Sequence, residues 1–223
     1  MNFLAHCLLA DGSAGRAENV DEPPSSRASR TSRAGFLAGG ILGDFVKGPI
    51  PDSLPVELRA GIRLHRRVDS HSNRLPEMKA SVRRFAPALR RVAPVLLDIV
   101  ADHCLARSWP RYANEPLDAF IDRVHAAIAE FDPMVPAPGR TFIQRMVENN
   151  LLERYADPAV VLRAMEHVLE RLRMPHLGGA LHGVLNDDIG RLAEDFEIYF
   201  PLLQDLAGAE RVAAAKWAAD STR

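Results

Sequence analysis

The chain has 223 residues, a comfortable length for one domain, and 47% of them are hydrophobic, so a packed core rather than disorder is expected. Lys+Arg 28 against Asp+Glu 29 leaves a net charge of −1 with the histidines neutral, which argues against a sequence-independent nucleic-acid binder. No run reaches the ~20 apolar residues of a membrane span, and two widely separated cysteines, Cys7 and Cys104, make no disulfide framework, so a reducing, cytoplasmic setting is expected.

Strand formers are scarce, with three threonines and three tyrosines, while Ala, Leu, Arg and Glu abound. Apolar residues recur at spacings of three and four, so the chain reads as an all-α, single-domain helical bundle with no internal repeat. A first helix is predicted over Asn2 to Ala10; it contains His6 and lacks the basic flank of a signal peptide. Residues 11–33, rich in Ser, Gly, Pro and balanced charge, read as a mobile loop. A second helix runs from Gly35 to Val46 and stops at Gly48-Pro49. The third spans Leu54 to Ser72, with Asp52 or Ser53 as its N-cap. A short helix over Glu77 to Phe85 follows, and then a long one from Val92 to Trp109 with Pro94 in its first turn. Further helices are predicted over Asp118–Phe131, Thr141–Tyr155 and, behind the cap pair Asp157-Pro158, up to Arg173. The remainder, Leu177 to Ala219, is helical with a break at Pro201.

The informative residues interrupt the apolar periodicity. Leu54, Leu58, Ile62, His65 and Asp69 share one stripe of the third helix, so His65 and Asp69 lie one turn apart on a core-facing side. A buried carboxylate costs several kcal/mol unless it is paired or bound to a cation. The Val92–Trp109 helix is apolar all round yet carries Asp98, Asp102 and His103. Imidazole nitrogens and carboxylate oxygens on facing helices suit a divalent ion such as Mn²⁺, Zn²⁺ or Fe²⁺, and helical bundles build such sites in their cores. Against this stands the plainer reading of hydrogen-bonded core pairs. Asp44 lies near the end of the second helix, where the helix dipole disfavours an acid, and Lys47 follows three residues later. Arginines outnumber lysines 25 to 3; Arg59, Arg63, Arg66 and Arg67 form a stripe opposite the apolar one, either a solvated face or a docking site for an acidic partner. Gly39-Gly40 and Gly178-Gly179 match no phosphate loop or dinucleotide fingerprint, and Cys7 and Cys104 read as small buried hydrophobes.

Four ordered segments carry a likeness: Met1–His6, Leu42–Gly48, Gly61–Asp69 and Asp98–His103, with Asn149–Leu151 and Phe196–Pro201 extending it along the chain. Together they resemble the acyl carrier protein phosphodiesterase family. The resemblance implies a helical fold distantly related to the HD phosphohydrolases, a preference for manganese with Mg²⁺ or Fe²⁺ as substitutes, and hydrolytic removal of the 4′-phosphopantetheine arm from holo acyl carrier protein. Where the family passes from the His6 helix to the Asp44 segment through a short turn, this chain carries the longer stretch 11–33.

Residues and resemblance together lead to an expected site. His65, Asp69, Asp102 and His103 are the candidate metal ligands, with His6 as a further one and Asp98 as either a ligand or a brace for one. Asp44 is the candidate to orient water or move its proton, and Lys47 to neutralise developing charge. Arg59, Arg63, Arg66 and Arg67 are the candidates for receiving the acidic carrier protein. Neither nucleic acid nor membrane is an expected partner. The competing readings are a phosphohydrolase acting on nucleotides or another small phosphodiester, and a non-catalytic helical binding module.

Overall fold

The computed structural model describes residues 3–12 and 27–221. Its helices are α1 (Phe3–Asp11), α2 (Arg27–Leu42), α3 (Val56–Ser72), α4 (Pro76–Arg84), α5 (Ala93–Ser108), α6 (Leu117–Glu130), α7 (Ala137–Glu148), α8 (Leu151–Arg154), α9 (Pro158–Arg171), α10 (Gly178–Gly183) and α11 (Ile189–Ser221). Short 3₁₀ turns and one π-helical turn, Val184–Asp188, connect some of them. No strand occurs among the described residues, so the fold is all-α, as the composition predicts.

Helices with no polar face have to lie inside. α1 is buried from Phe3 to Ala10, and α5 is buried at Leu96, Leu97, Ile99 to Leu105. The two pack against each other, with α2, α3, α9 and α11 around them. Both cysteines are buried and unbridged, consistent with small hydrophobes.

Boundaries differ from the pattern in instructive ways. Of the stretch read as a mobile loop, Asp11 still belongs to α1 and residues 27–33 belong to α2; residues 13–26 lie outside the described residues. α1 ends at Gly12, whose φ of +76° a side chain would strain. The Thr141–Tyr155 helix is divided into α7 and α8 because Asn150 adopts φ 46°. α3 starts behind Pro55 without a side-chain cap, while Asp157 caps α9 as expected, accepting from Ala159 N at 2.8 Å. Pro201 does not interrupt α11.

Glycines on α2 set how closely the helices approach. A Cβ on Gly39 would lie 2.4 Å from the Gly61 carbonyl carbon on α3, and one on Gly61 would lie 2.5 Å from the Gly35 carbonyl oxygen. Backbone thus meets backbone, and neither side has a flexible atom to yield. Gly39→Ala is expected to destabilise the protein by about 3 kcal/mol through overpacking. A urea-unfolding midpoint equal to that of the native sequence would contradict this contact.

Candidate metal and phosphoester site

The same glycine row brings α2 against the functional side chains. Gly43, which follows α2, sits against the imidazole of His65, where an added Cβ would come within 2.3 Å of Cγ. His65 Nδ1–H donates to the Gly40 carbonyl at 2.9 Å. That bond leaves Nε2 as the nitrogen that faces the site, a common way of orienting a ligating histidine. Nε2 lies 3.4 Å from Asp69 Oδ2, one turn along α3, and 3.9 Å from Asp44 Oδ1. From α1, His6 Nε2 reaches Asp69 Oδ1 at 2.9 Å. The two imidazoles stack with centroids 3.8 Å apart and planes 24° apart.

Electrostatics divides the pair. Burial lowers the pKa of His6, the neighbouring His65 lowers it further, and Asp69 offsets only part of this. His65 is pulled down by burial, but its hydrogen bond to Asp69 and the charges of Asp69 and Asp44 outweigh that and raise it. Burial pushes the Asp69 carboxyl upward, yet hydrogen bonds from both histidines hold it far below the usual carboxylate range. Asp69 is therefore an anion shared by two rings. Asp98, on α5, is raised by burial.

Ligand atoms of His6, His65 and Asp69 all lie within 4.8 Å of one another. Two imidazole nitrogens and one carboxylate, with one ring locked by a backbone carbonyl, fit the donor preferences of a divalent first-row ion. Asp69 is half-exposed, and it opens into a cavity of about 640 Å³ that is also lined by Asp44, Lys47, Asp98, Phe142 and Arg171. Such a hollow can hold a phosphoester between a ligand cluster on one wall and two cationic side chains on others.

The cavity gathers Asp44, Lys47, Asp69 and Asp98, and His6 and His65 stand behind Asp69. Asp102 and His103 are elsewhere, which corrects the expectation that they complete the ligand set. Asp102 is fully buried and accepts from the backbone amides of Leu4 at 3.2 Å and Ala5 at 2.9 Å. It therefore caps the first turn of α1 from a neighbouring helix, since those amides have no partner within α1. His103 Nδ1–H donates to the Tyr155 carbonyl at 2.7 Å, and burial lowers its pKa. The spacing of Asp98, Asp102 and His103 could not separate these roles; only Asp98 turns toward the cavity.

The arginine stripe on α3 lines a separate hollow with Ile50, Asp52 and Trp217. Arg59 pairs with Asp52 at 2.6 Å, and Arg67 with Glu210 at 3.1 Å. Arg66 donates to the carbonyls of Val46 and Gly48, tying down the segment that carries Asp44 and Lys47. Arg63 lies over the ring of Trp217, 4.5 Å from its centroid. All four thus have a partner within the protein, Arg63 only an aromatic ring among the described residues. Phe142 and Arg171 are among the cavity residues that sequence reasoning missed. Nothing in the pattern distinguishes Arg171 from the other arginines, because its position depends on how α9 crosses α5.

Comparison with known proteins points the same way. The family described as acyl carrier protein phosphodiesterase matches residues 28–203. The chain belongs to the acyl carrier protein phosphodiesterase family. A relative of that name from Pectobacterium atrosepticum is 33% identical over 95% of this chain and all of its own length. One from Enterobacter sp. is 34% identical over 77% of this chain and 79% of its own, and one from Yersinia enterocolitica is 28% identical over 95% and 100%. No solved structure matches the chain. His6 precedes the segment matched by the family description and lies within the fold against Asp69.

Proposed function

We propose that this protein is a metal-dependent phosphodiester hydrolase that removes the 4′-phosphopantetheine arm from holo acyl carrier protein, in the cytoplasm and as part of fatty acid metabolism. The observation that carries the reading is the meeting of His6, His65 and Asp69 at the wall of a cavity that also holds Asp44 and Lys47. The family relationship supports the substrate. In this reading His6 Nε2, His65 Nε2 and the Asp69 carboxylate hold a divalent ion, Mn²⁺ in the first instance. Such an ion supplies Lewis acidity toward phosphoryl oxygens and makes water a better nucleophile near neutral pH.

The protein's own groups do the rest. Asp44, 3.9 Å from His65 Nε2, stands where it can orient the attacking water and accept its proton. The exposed Lys47 ammonium and the Arg171 guanidinium face the charge that builds on the phosphoryl oxygens. Water attacks phosphorus, the bond from phosphorus to the serine oxygen breaks, and that oxygen leaves with a proton. The products are apo carrier protein and the free phosphorylated arm. Asp98, across the cavity, favours a charged His6, while its own charge and that of Asp69 repel.

Holo carrier protein incubated with the enzyme and Mn²⁺ is expected to lose the mass of its arm, read by mass spectrometry of the intact carrier protein. Protein stripped with a chelator is expected to leave the mass unchanged until the metal is restored. Arm release at full rate by metal-free protein would sink the metal reading, and a stable holo mass in the presence of Mn²⁺ would sink the substrate reading.

A further inference from the structure

A second hollow adjoins the first. It has a volume of about 460 Å³ and runs between α7, α8 and α9, over a floor that includes the buried side chains of Met146, Tyr155 and Val168. Phe142 and Arg171 line both hollows, so the two share a wall. Its rim carries Arg145, Arg154 and Arg163 besides Arg171, all exposed. No carboxylate lines it. Among the described residues none forms an ion pair or side-chain hydrogen bond with any of these four guanidiniums. The contrast with α3 is direct, because there Arg59 and Arg67 have carboxylate partners and Arg66 has carbonyls.

Four like charges around an apolar trough repel one another and are stabilised by an incoming surface of opposite sign. An amphipathic helix fits such a trough: its apolar side chains enter the floor while its acidic ones meet the rim. We propose that the α7–α9 groove is the docking surface for the protein half of the substrate, specifically an acidic amphipathic helix of the carrier protein. The inference rests on the hydrolase reading above. A helix seated there lies against the Phe142 and Arg171 wall that the groove shares with the cavity lined by Asp69. The groove thus sets which serine reaches the site, and the α3 arginines serve the fold.

The test uses apo carrier protein, the reaction product, so that affinity is read without turnover. Titrations into the full chain compare Arg145→Glu/Arg163→Glu with Arg63→Glu/Arg67→Glu, each checked for an unchanged melting temperature; Arg145→Gln/Arg163→Gln stands in should the charge reversal fail to fold. The groove variant is expected to weaken binding about tenfold or more at low salt and to flatten its salt dependence. On holo carrier protein it is expected to raise KM with kcat nearly intact, while hydrolysis of bis(p-nitrophenyl) phosphate with Mn²⁺ stays at the native rate. Loss of affinity in the α3 variant alone, or no binding of apo carrier protein by the native chain, would overturn the proposal. So would native affinity in the groove variant combined with a selective loss of long-chain acylated substrates, which would make the groove a chain-binding pocket. Failure of the native chain to release the arm would count against the hydrolase reading instead, and the apo-protein titration would still decide the docking surface.

Discussion

Asp69→Ala is expected to lower turnover of holo carrier protein about 10³-fold or more, with far-UV circular dichroism unchanged. The carboxylate is the meeting point of His6 and His65, at 2.9 Å and 3.4 Å, and the only anion that touches both rings directly among the described groups. Its removal takes one of three ligand atoms from the proposed ion, whose Lewis acidity is worth several kcal/mol at the transition state, and each ~1.4 kcal/mol is a factor of ten in rate. Stability should change less than activity, because the Asp69 side chain is 45% exposed and its truncation leaves no fully buried void. Metal analysis of the variant should find less than stoichiometric Mn²⁺. Full activity with unchanged metal content would remove the site. His65→Ala is the companion change, but His65 is buried and bonded to Gly40, so its loss of activity would be mixed with a loss of stability.

Asp102 presents the opposite profile. Asp102→Ala is expected to lower stability by roughly 2–5 kcal/mol, since it leaves two buried amides without an acceptor at about 1–3 kcal/mol each. Activity per folded molecule should fall far less than in Asp69→Ala. The pH dependence separates the two roles further. Burial pushes the Asp102 carboxyl from its ordinary 3.8 up to about 7, with the Ala5 and Leu4 amides offsetting part of that. A group whose folded pKa is raised binds its extra proton in the folded state, so its contribution to stability is greatest below the unfolded pKa of about 4. That contribution falls as pH rises toward about 7. Asp102→Asn keeps an oxygen for the amides and has no proton to lose. The difference in unfolding free energy between the native chain and Asp102→Asn should therefore shift across pH 4 to 7 in favour of the variant. A difference that stays constant over that window would mean that Asp102 is not the buried titrating cap described here.

Local pattern carried the reading of α3 and α5 a long way. The i, i+4 spacing of His65 and Asp69 is a consequence of helix geometry, so their shared side was legible before any packing was known. The placement of Asp44 with Lys47 was legible for a similar reason, because a dipole-opposed acid at a helix end asks for an explanation. In α5 the same reasoning failed to choose. Asp98 and Asp102 are also i, i+4, but α5 is surrounded by other helices, so its two acids can satisfy different neighbours. One turns to the cavity and the other to the first turn of α1. The glycines of α2 were silent in sequence because their meaning is a distance to another helix, not a local motif. Arg66 read as a surface charge for the same reason, since the carbonyls it binds belong to a segment eighteen and twenty residues away.

By itself the sequence determined the helical class, the burial of α5, and the pairing of a histidine with an aspartate on one side of α3, because each follows from composition or from a 3.6-residue period. Only the tertiary structure decided which acids cluster, that His6 stacks on His65, and that four arginines of α7 to α9 ring one groove. Those outcomes depend on the distance and angle at which helices cross, which for α2 and α3 are set by where Gly35, Gly39 and Gly61 let backbones touch.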